Sequence, residues 1–191
     1  MTSTPMPSVP LSQLGRAAHD AGLAGLLGGN LFGRLALHPA VTSISDERER
    51  GKVVNAAWKR YGAVNSVSLL AVMSGWAGAR AGEARNERLS DAERKLAYAK
   101  DVLVGVVAVT GVATAVEGVR FSRDAPGGAV PLRDGDHTAP GATPVQARRK
   151  RRLNVLGAAS LAAELALVGV NAALGQQNFR RPPARRFALR R

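Results

Sequence analysis

The chain contains no cysteine, a single isoleucine (Ile44), three histidines and few aromatics: two Trp, two Tyr and four Phe in 191 residues. The missing thiols exclude disulfides, thiol nucleophiles, iron–sulfur clusters and cysteine-type zinc sites. His19, His38 and His137 leave little for metal chemistry, so no metal and no cofactor is expected. Lysine is scarce too, five of the 27 basic residues. With Ala, Gly, Val, Leu and Arg dominant, this bias reads as a GC-rich genome, and arginine abundance by itself says little about function. The length allows one domain, or two small ones.

What is present is positive charge and apolar length. The formal net charge of +13 calls for an anionic partner, with nucleic acid and anionic lipid as the two classes. The basic residues gather between long stretches almost free of charge. Residues 1–13 hold three prolines and no basic residue, so they lack the positive start of a signal peptide and read as a disordered tail. Four low-charge segments follow, at 17–38, 62–79, 102–119 and 153–175. A membrane-spanning helix needs about 20 mainly apolar residues, which each of these approaches without a proline. A soluble bundle of Ala-rich helices that binds anions is the alternative. Against it, 62–79 and 102–119 lack the polar stripe of a soluble helix, and their few polar residues are mostly Ser, Thr and Asn, which bond within bundles.

The aromatics fall at the expected interfaces. Trp58 and Tyr61 precede the second segment and Trp76 lies near its far end. Eighteen residues separate the tryptophans, about 27 Å of helix against a hydrocarbon core of about 30 Å. Tyr98 and Phe121 bracket the third segment, and Phe179 follows the fourth, as aromatic belts would. The expectation is an all-α, four-helix transmembrane bundle in a bacterial cytoplasmic (inner) membrane, with long helices extending from the bilayer. It divides into a tail (1–13), three spans with helical extensions (14–121), a flexible Pro/Gly-rich basic linker (122–152), a fourth span (153–177) and a basic disordered tail (178–191). Ser45 is a candidate N-cap, followed by Asp46 and Glu47; Ser90 and Glu93 match a capping box.

Four spans place both termini on one side. Counting Lys and Arg gives 13 on that side and 14 on the other, of 27 in all, so the positive-inside rule does not orient the chain. Both termini inside, and dual topology with antiparallel pairing, stay open.

Glycines at 25, 29 and 33 form a small-residue face suited to close helix packing, a glycine zipper within one subunit or across a homodimer. Gly28-Gly29 is not read as a phosphate loop, since no strand precedes it and no lysine follows. Ionisable residues at bilayer depth are the best functional pointers. His19 and Asp20 share a level with Lys100 and Asp101, and Arg34 shares one with Glu117, which makes an Arg34–Glu117 pair reasonable. Glu164 is the deepest charge and Asn30 lies at comparable depth; Glu164 is a neutral carboxyl hydrogen-bonded to Asn30 or a serine, a proton or cation site, or wet on a tilted or half-buried helix. His19 and His38 stand about 28 Å apart on one helix and cannot share a haem iron. Arg148, Arg149, Lys150, Arg151 and Arg152 read as lipid or anion contacts, worth about 1 kcal/mol per basic residue at an anionic surface. Nucleic acid is disfavoured, because Phe187 is the one aromatic among the flanking arginines.

The whole chain resembles the small four-helix membrane proteins of GC-rich bacteria. Its first segment, GLLGGNLFGRLALHPAV, is similar to the opening helix of anthrone-oxygenase-like membrane proteins, glycine-rich and ending near a proline. That resemblance covers about 20 residues and the span count. It implies that a membrane oxidoreductase belongs among the alternatives, and it transfers no catalytic residue. The leading expectation is a non-enzymatic structural or interaction component. A small-molecule or proton-coupled transporter using Glu164 and Asn30 is the first alternative.

Overall fold

A computed structural model describes residues 11–180, with side chains placed over 13–177. Most of both expected tails lies outside the described residues. Residues 11–13 and 178–180, assigned above to those tails, are instead the outermost turns of helices. Among the described residues there are four long helices: α1 (Leu11–Phe32), α2 (Glu47–Ala81), α3 (Asp91–Arg123) and α4 (Pro144–Arg180). They run alternately up and down. The most intimate packing is within the pairs α1/α2 and α3/α4, with thinner contact between pairs.

Local chemistry sets the boundaries. After Phe32 the chain makes a π turn, Gly33–Leu37, in which the His38 N–H bonds Gly33 O. Pro39 follows and has no N–H to give Leu35 O, so the regular ladder cannot continue there. Asp46, not Ser45, caps α2: its Oδ1 accepts from the N–H groups of Arg48 and Glu49 at 2.8 and 2.9 Å. The carboxylate sits one residue nearer the free amides than the serine hydroxyl. Ser90 and Glu93 form the expected capping box of α3. A second box, unforeseen, opens α4: Thr143 N–H donates to Gln146 Oε1 at 2.9 Å, Gln146 N–H donates back to Thr143 Oγ1, and Pro144 takes the first helical position.

That second box moves the start of the last helix to Pro144, so the run Arg148–Arg152 is helical, not linker. The stretch between α3 and α4 is not a loose connector either. Val130 and Leu132 are fully buried and join Val41, Val54 and Phe121 in a compact core. Leu132 N–H donates to Glu47 O, Gly135 N–H to His38 O, and Asn55 Nδ2 to Gly128 O. Gly127 and Gly128 turn the chain at φ of 61° and 74°, a region that side chains disfavour. Prolines and glycines here shape a packed cap rather than a flexible linker.

The Gly25/Gly29/Gly33 face is filled from within the chain. A Cβ at Gly25 would strike the Ser68 hydroxyl, at Gly29 the Tyr61 ring and at Gly33 the Trp58 ring. The Tyr61 hydroxyl crosses Gly29 and donates to Gly25 O at 2.7 Å. Backbone also approaches glycine closely toward the opposite end, where a Cβ at Gly75 would strike Gly15 O and one at Gly22 would strike Ser68 O. The main core lies midway and toward that end, around Leu23, Val72, Val104, Val107 and Leu167.

The outer surface is apolar where a soluble bundle would be polar. On α3, Val102, Val106, Val109, Val112, Val116 and Val119 recur every three or four residues and are all exposed. Two helices, α3 and α4, are long and apolar enough to cross a membrane, and only 17% and 22% of their most apolar windows is buried inside the protein. α1 and α2 fall short of that measure. Arg16, His19, Asp20 and Asn30 lower the first, and Gly and Ser dilute the second.

Candidate functional site

The polar side chains collect at three levels: the middle of the bundle and its two ends. In the middle, Glu164 is completely buried on α4. Asn30 Nδ2, from α1, donates to both carboxyl oxygens at 2.8 and 2.9 Å. Ser160, one turn before Glu164, donates its hydroxyl to Oε1 at 2.9 Å. All these partners are neutral donors, so the carboxyl is held by dipoles without a countercharge. Such a group can act as a rigid cross-link between α1 and α4, or can exchange a proton if a path reaches it.

The end bearing the 82–90 turn is here called the turn end. His19 is buried on α1, and its Nδ1 meets Val72 O at 2.8 Å. A carbonyl only accepts, so Nδ1 carries the hydrogen. Its Nε2 is buried without a partner among the described residues. Lys100 is also buried, its Nζ 4.3 Å from the centre of the Trp76 ring, a cation–π contact. Trp76 Nε1 donates to Asp101 Oδ1 at 2.8 Å, and Arg80 pairs with the other oxygen at 3.2 Å. Asp20 accepts a hydrogen bond from Asn171 at 3.2 Å. His19, Asp20, Lys100 and Asp101 therefore occupy one level, and Trp76 joins them.

The cap end carries the packed loop. His38 is buried, with Nδ1 2.9 Å from Asp136 Oδ1 and Nε2 accepting from Trp58 Nε1 at 3.3 Å. One nitrogen donates and the other accepts, which fits a neutral imidazole with its hydrogen on Nδ1. Both nitrogens are thus engaged, and the arrangement locks the loop rather than presenting a base. Asn154 Nδ2 donates to Asp136 O at 2.6 Å, and Arg34 Nη2 donates to Asn154 O at 3.0 Å. The loop also orders itself: Asp134 Oδ1 accepts from the N–H groups of Asp136 and His137, both at 2.8 Å, and from His137 Nδ1. Burial acts to raise the Asp134 carboxyl, but these hydrogen bonds outweigh it and hold the group below the usual range. Gly135 is required here, since a Cβ would overlap His38.

Arg34 and Glu117 share a level but do not pair. Glu117 turns to the basic residues of its own neighbourhood: Arg120 at 3.2 Å, Arg149 at 3.6 Å and Arg152 at 4.0 Å. Arg149 also reaches Asp124 at 2.9 Å. The five-residue basic run is therefore divided. Arg148, Arg151 and Arg152 are exposed, Arg149 is half-buried between two carboxylates, and Lys150 is buried and faces away from any lipid or solvent anion.

The sequence reading missed His38, Trp58 and Asp136 as one cluster. The signal available was the Asp134-Gly135-Asp136-His137 turn beside the apolar Val130 and Leu132, a pattern of chemistry inside a stretch whose prolines suggested only slack. Among the described residues, no three His, Asp or Glu side chains assemble as a metal site. In comparisons with family models, curated proteins and solved structures, nothing matches the chain.

Proposed function

We propose that this chain is a multi-pass integral protein of a bacterial cytoplasmic membrane, crossing it with all four long helices and serving as a non-enzymatic structural or interaction component. The observation that carries this reading is the outward valine stripe of α3, continued by exposed Val155, Leu165 and Val168 on α4 and Val67 and Leu70 on α2. Burying each large apolar side chain is worth about 1.5–3 kcal/mol, and water offers none of that. Lipid does. The aromatics support the same placement, with Trp58 and Tyr61 at the cap end and Trp76 and Tyr98 at the turn end. α1 and α2 cross despite their lower hydropathy because their polar groups face protein partners.

The absence of native cysteine makes the test direct. Glu87→Cys at the turn end and Gly141→Cys at the cap end are treated in intact cells with a membrane-impermeant maleimide. Both sites are exposed, and a Cβ at Gly141 meets nothing within 4 Å. Labelling of one site and protection of the other supports spanning and orients the chain. Partial labelling of both supports dual topology. Protection of both until lysis, with the protein released by carbonate, rejects the membrane reading in favour of a soluble anion-binding bundle.

A second reading, a proton-coupled role for Glu164 and Asn30, is favoured by the complete burial of a carboxyl among neutral donors. Glu164→Gln keeps shape and hydrogen bonding but cannot exchange a proton. Unchanged assembly and melting with loss of a proton-coupled flux in vesicles would support this second reading.

A further inference from the structure

An open groove of about 570 Å³ lies between α3 and α4 toward the cap end. That falls within the size range of ligand sites, about 300–1,000 Å³. Its floor is apolar, made by Ala113, Val116, Val155 and Leu156, and its mouth is cationic, made by Arg120, Arg151 and Arg152. The order is the same on both helices although they run in opposite directions. On α3, Arg120 stands one turn beyond Val116 toward the cap; on α4, Arg151 stands one turn before Val155. Charge is therefore at the cap level and hydrocarbon below it.

Glu117 fixes this polarity. Its carboxylate, only 12% exposed, sits beneath the mouth and engages Arg120 and Arg152, while Arg149 is drawn back between Glu117 and Asp124. Three guanidinium groups thus face two carboxylates and Arg151 stands beside them, leaving an excess of positive charge at the rim. Among the described residues, Arg151 has no ion pair, and the Arg120 and Arg152 side chains are 58% and 70% exposed despite theirs.

We propose that this groove is a binding site for an anionic phospholipid, whose phosphate is held by Arg120, Arg151 and Arg152 and one of whose acyl chains lies along Val116, Val155 and Leu156. The inference rests on the membrane reading above. Charge complementarity selects a phosphate, and the floor demands that hydrocarbon be attached to it. An inorganic anion would use the rim alone.

The test uses the full chain reconstituted in phosphatidylcholine vesicles with spin-labelled phosphatidylglycerol or phosphatidylcholine as the probe. The wild-type protein is expected to immobilise phosphatidylglycerol preferentially. Arg151→Gln/Arg152→Gln should lower that preference about 25-fold, given about fivefold for each of the two basic residues. Arg151→Lys/Arg152→Lys should retain most of it, and Val155→Asn should weaken binding with the charge intact. Inorganic phosphate should not compete. Full selectivity in the Gln double variant overturns the proposal. Competition by phosphate, with Val155→Asn behaving as wild type, overturns it in favour of a free-anion site. If the double variant does not insert, Arg151→Gln alone serves, because Arg151 has no ion pair to lose. Recovery of the wild-type chain in the carbonate-soluble fraction would instead fail the membrane reading itself, which separates the two failures.

Discussion

The two ends of the bundle are built from the same four residue types. The turn end places His19, Trp76, Lys100 and Asp101 together, and the cap end places His38, Trp58, Lys150 and Asp136. They differ in the kind of element that supplies the acid, a helix at the turn end and a loop at the cap end. At the turn end, Trp76 bonds Asp101 directly across a short connection, and Lys100 lies on the Trp76 ring. At the cap end, Trp58 reaches His38, which in turn meets Asp136, an acid 98 residues from it in sequence. One end is closed by neighbouring helices; the other is closed by a loop that must dock. A loop contact carries the entropy of ordering that loop, so the cap end depends on its buried anchors as a unit. Equal residue chemistry is therefore expected to give unequal robustness at the two ends.

Removing a buried anchor of the cap should separate the two ends most. Leu132 is fully buried, and Leu132→Ala should cost about 2–5 kcal/mol, the range for buried leucine truncation. The loss should appear as protease cleavage within 124–143 and a lower melting temperature in detergent, with the 82–90 turn still protected. Equal loosening of both ends would show that they unfold together and that the distinction has no energetic content. Next in size is Gly135→Ala. Its Cβ would overlap the His38 backbone and side chain, an overpacking cost of about 1–3 kcal/mol that pushes Asp136 away from His38. Leu89, beside the turn end and only half-buried, is the control: Leu89→Ala should cost less than either.

Loss of a capping hydroxyl should have a smaller effect. Ser90→Ala and Thr143→Ala should each cost about 1 kcal/mol. Ser90→Ala should fray only the first turn of α3. Thr143→Ala should also loosen the loop, because Gln146 donates from the same turn to Asp124 O at 3.0 Å. Hydrogen exchange of the amides at 91–94 and 124–147 reads both effects; confinement of the second to 144–147 would remove the coupling between cap and loop.

Much of this architecture was legible in sequence, and the limits have physical reasons. The capping box at Ser90, the unbroken passage through Trp58 and the shared levels of His19 with Lys100 follow from local chemistry and helical rise. So does the equal depth of Asn30 and Glu164, which the structure joins through a hydrogen bond. Rise gives depth but not azimuth. Arg34 and Glu117 stand at one level and face different neighbours, Asn154 on one side and Arg120, Arg149 and Arg152 on the other. The cap was illegible because its prolines and glycines report turns, while burial of Val130 and Leu132 is a tertiary event with no local periodicity. The inward turn of Lys150 is hidden for the same reason: one residue in a basic run can face the interior once the run is helical.

Acid offers the finest test of the difference between the ends. Two carboxylates at the cap end are held below their ordinary range. The backbone N–H groups of Glu49 and Arg48 hold Asp46 there, and at Asp134 the hydrogen bonds from Asp136 and His137 overcome the opposing effect of burial. A carboxyl lowered in the folded state binds fewer protons than in the unfolded chain. Its contribution is therefore present above the ordinary carboxylate value near 3.8 and disappears as pH falls through the lower folded value. Below that window Asp134 stops organising the turn that presents Asp136 to His38, and Asp46 stops capping α2. Cleavage in 124–143 should rise on acidification before cleavage in 82–90 does. Asp134→Asn, which can accept one of the backbone hydrogen bonds without titrating, should flatten that pH dependence while lowering cap stability slightly at neutral pH. If the wild-type turn end loosens first, or the variant keeps the full acid response, the carboxylates at the cap are not what distinguishes the two ends.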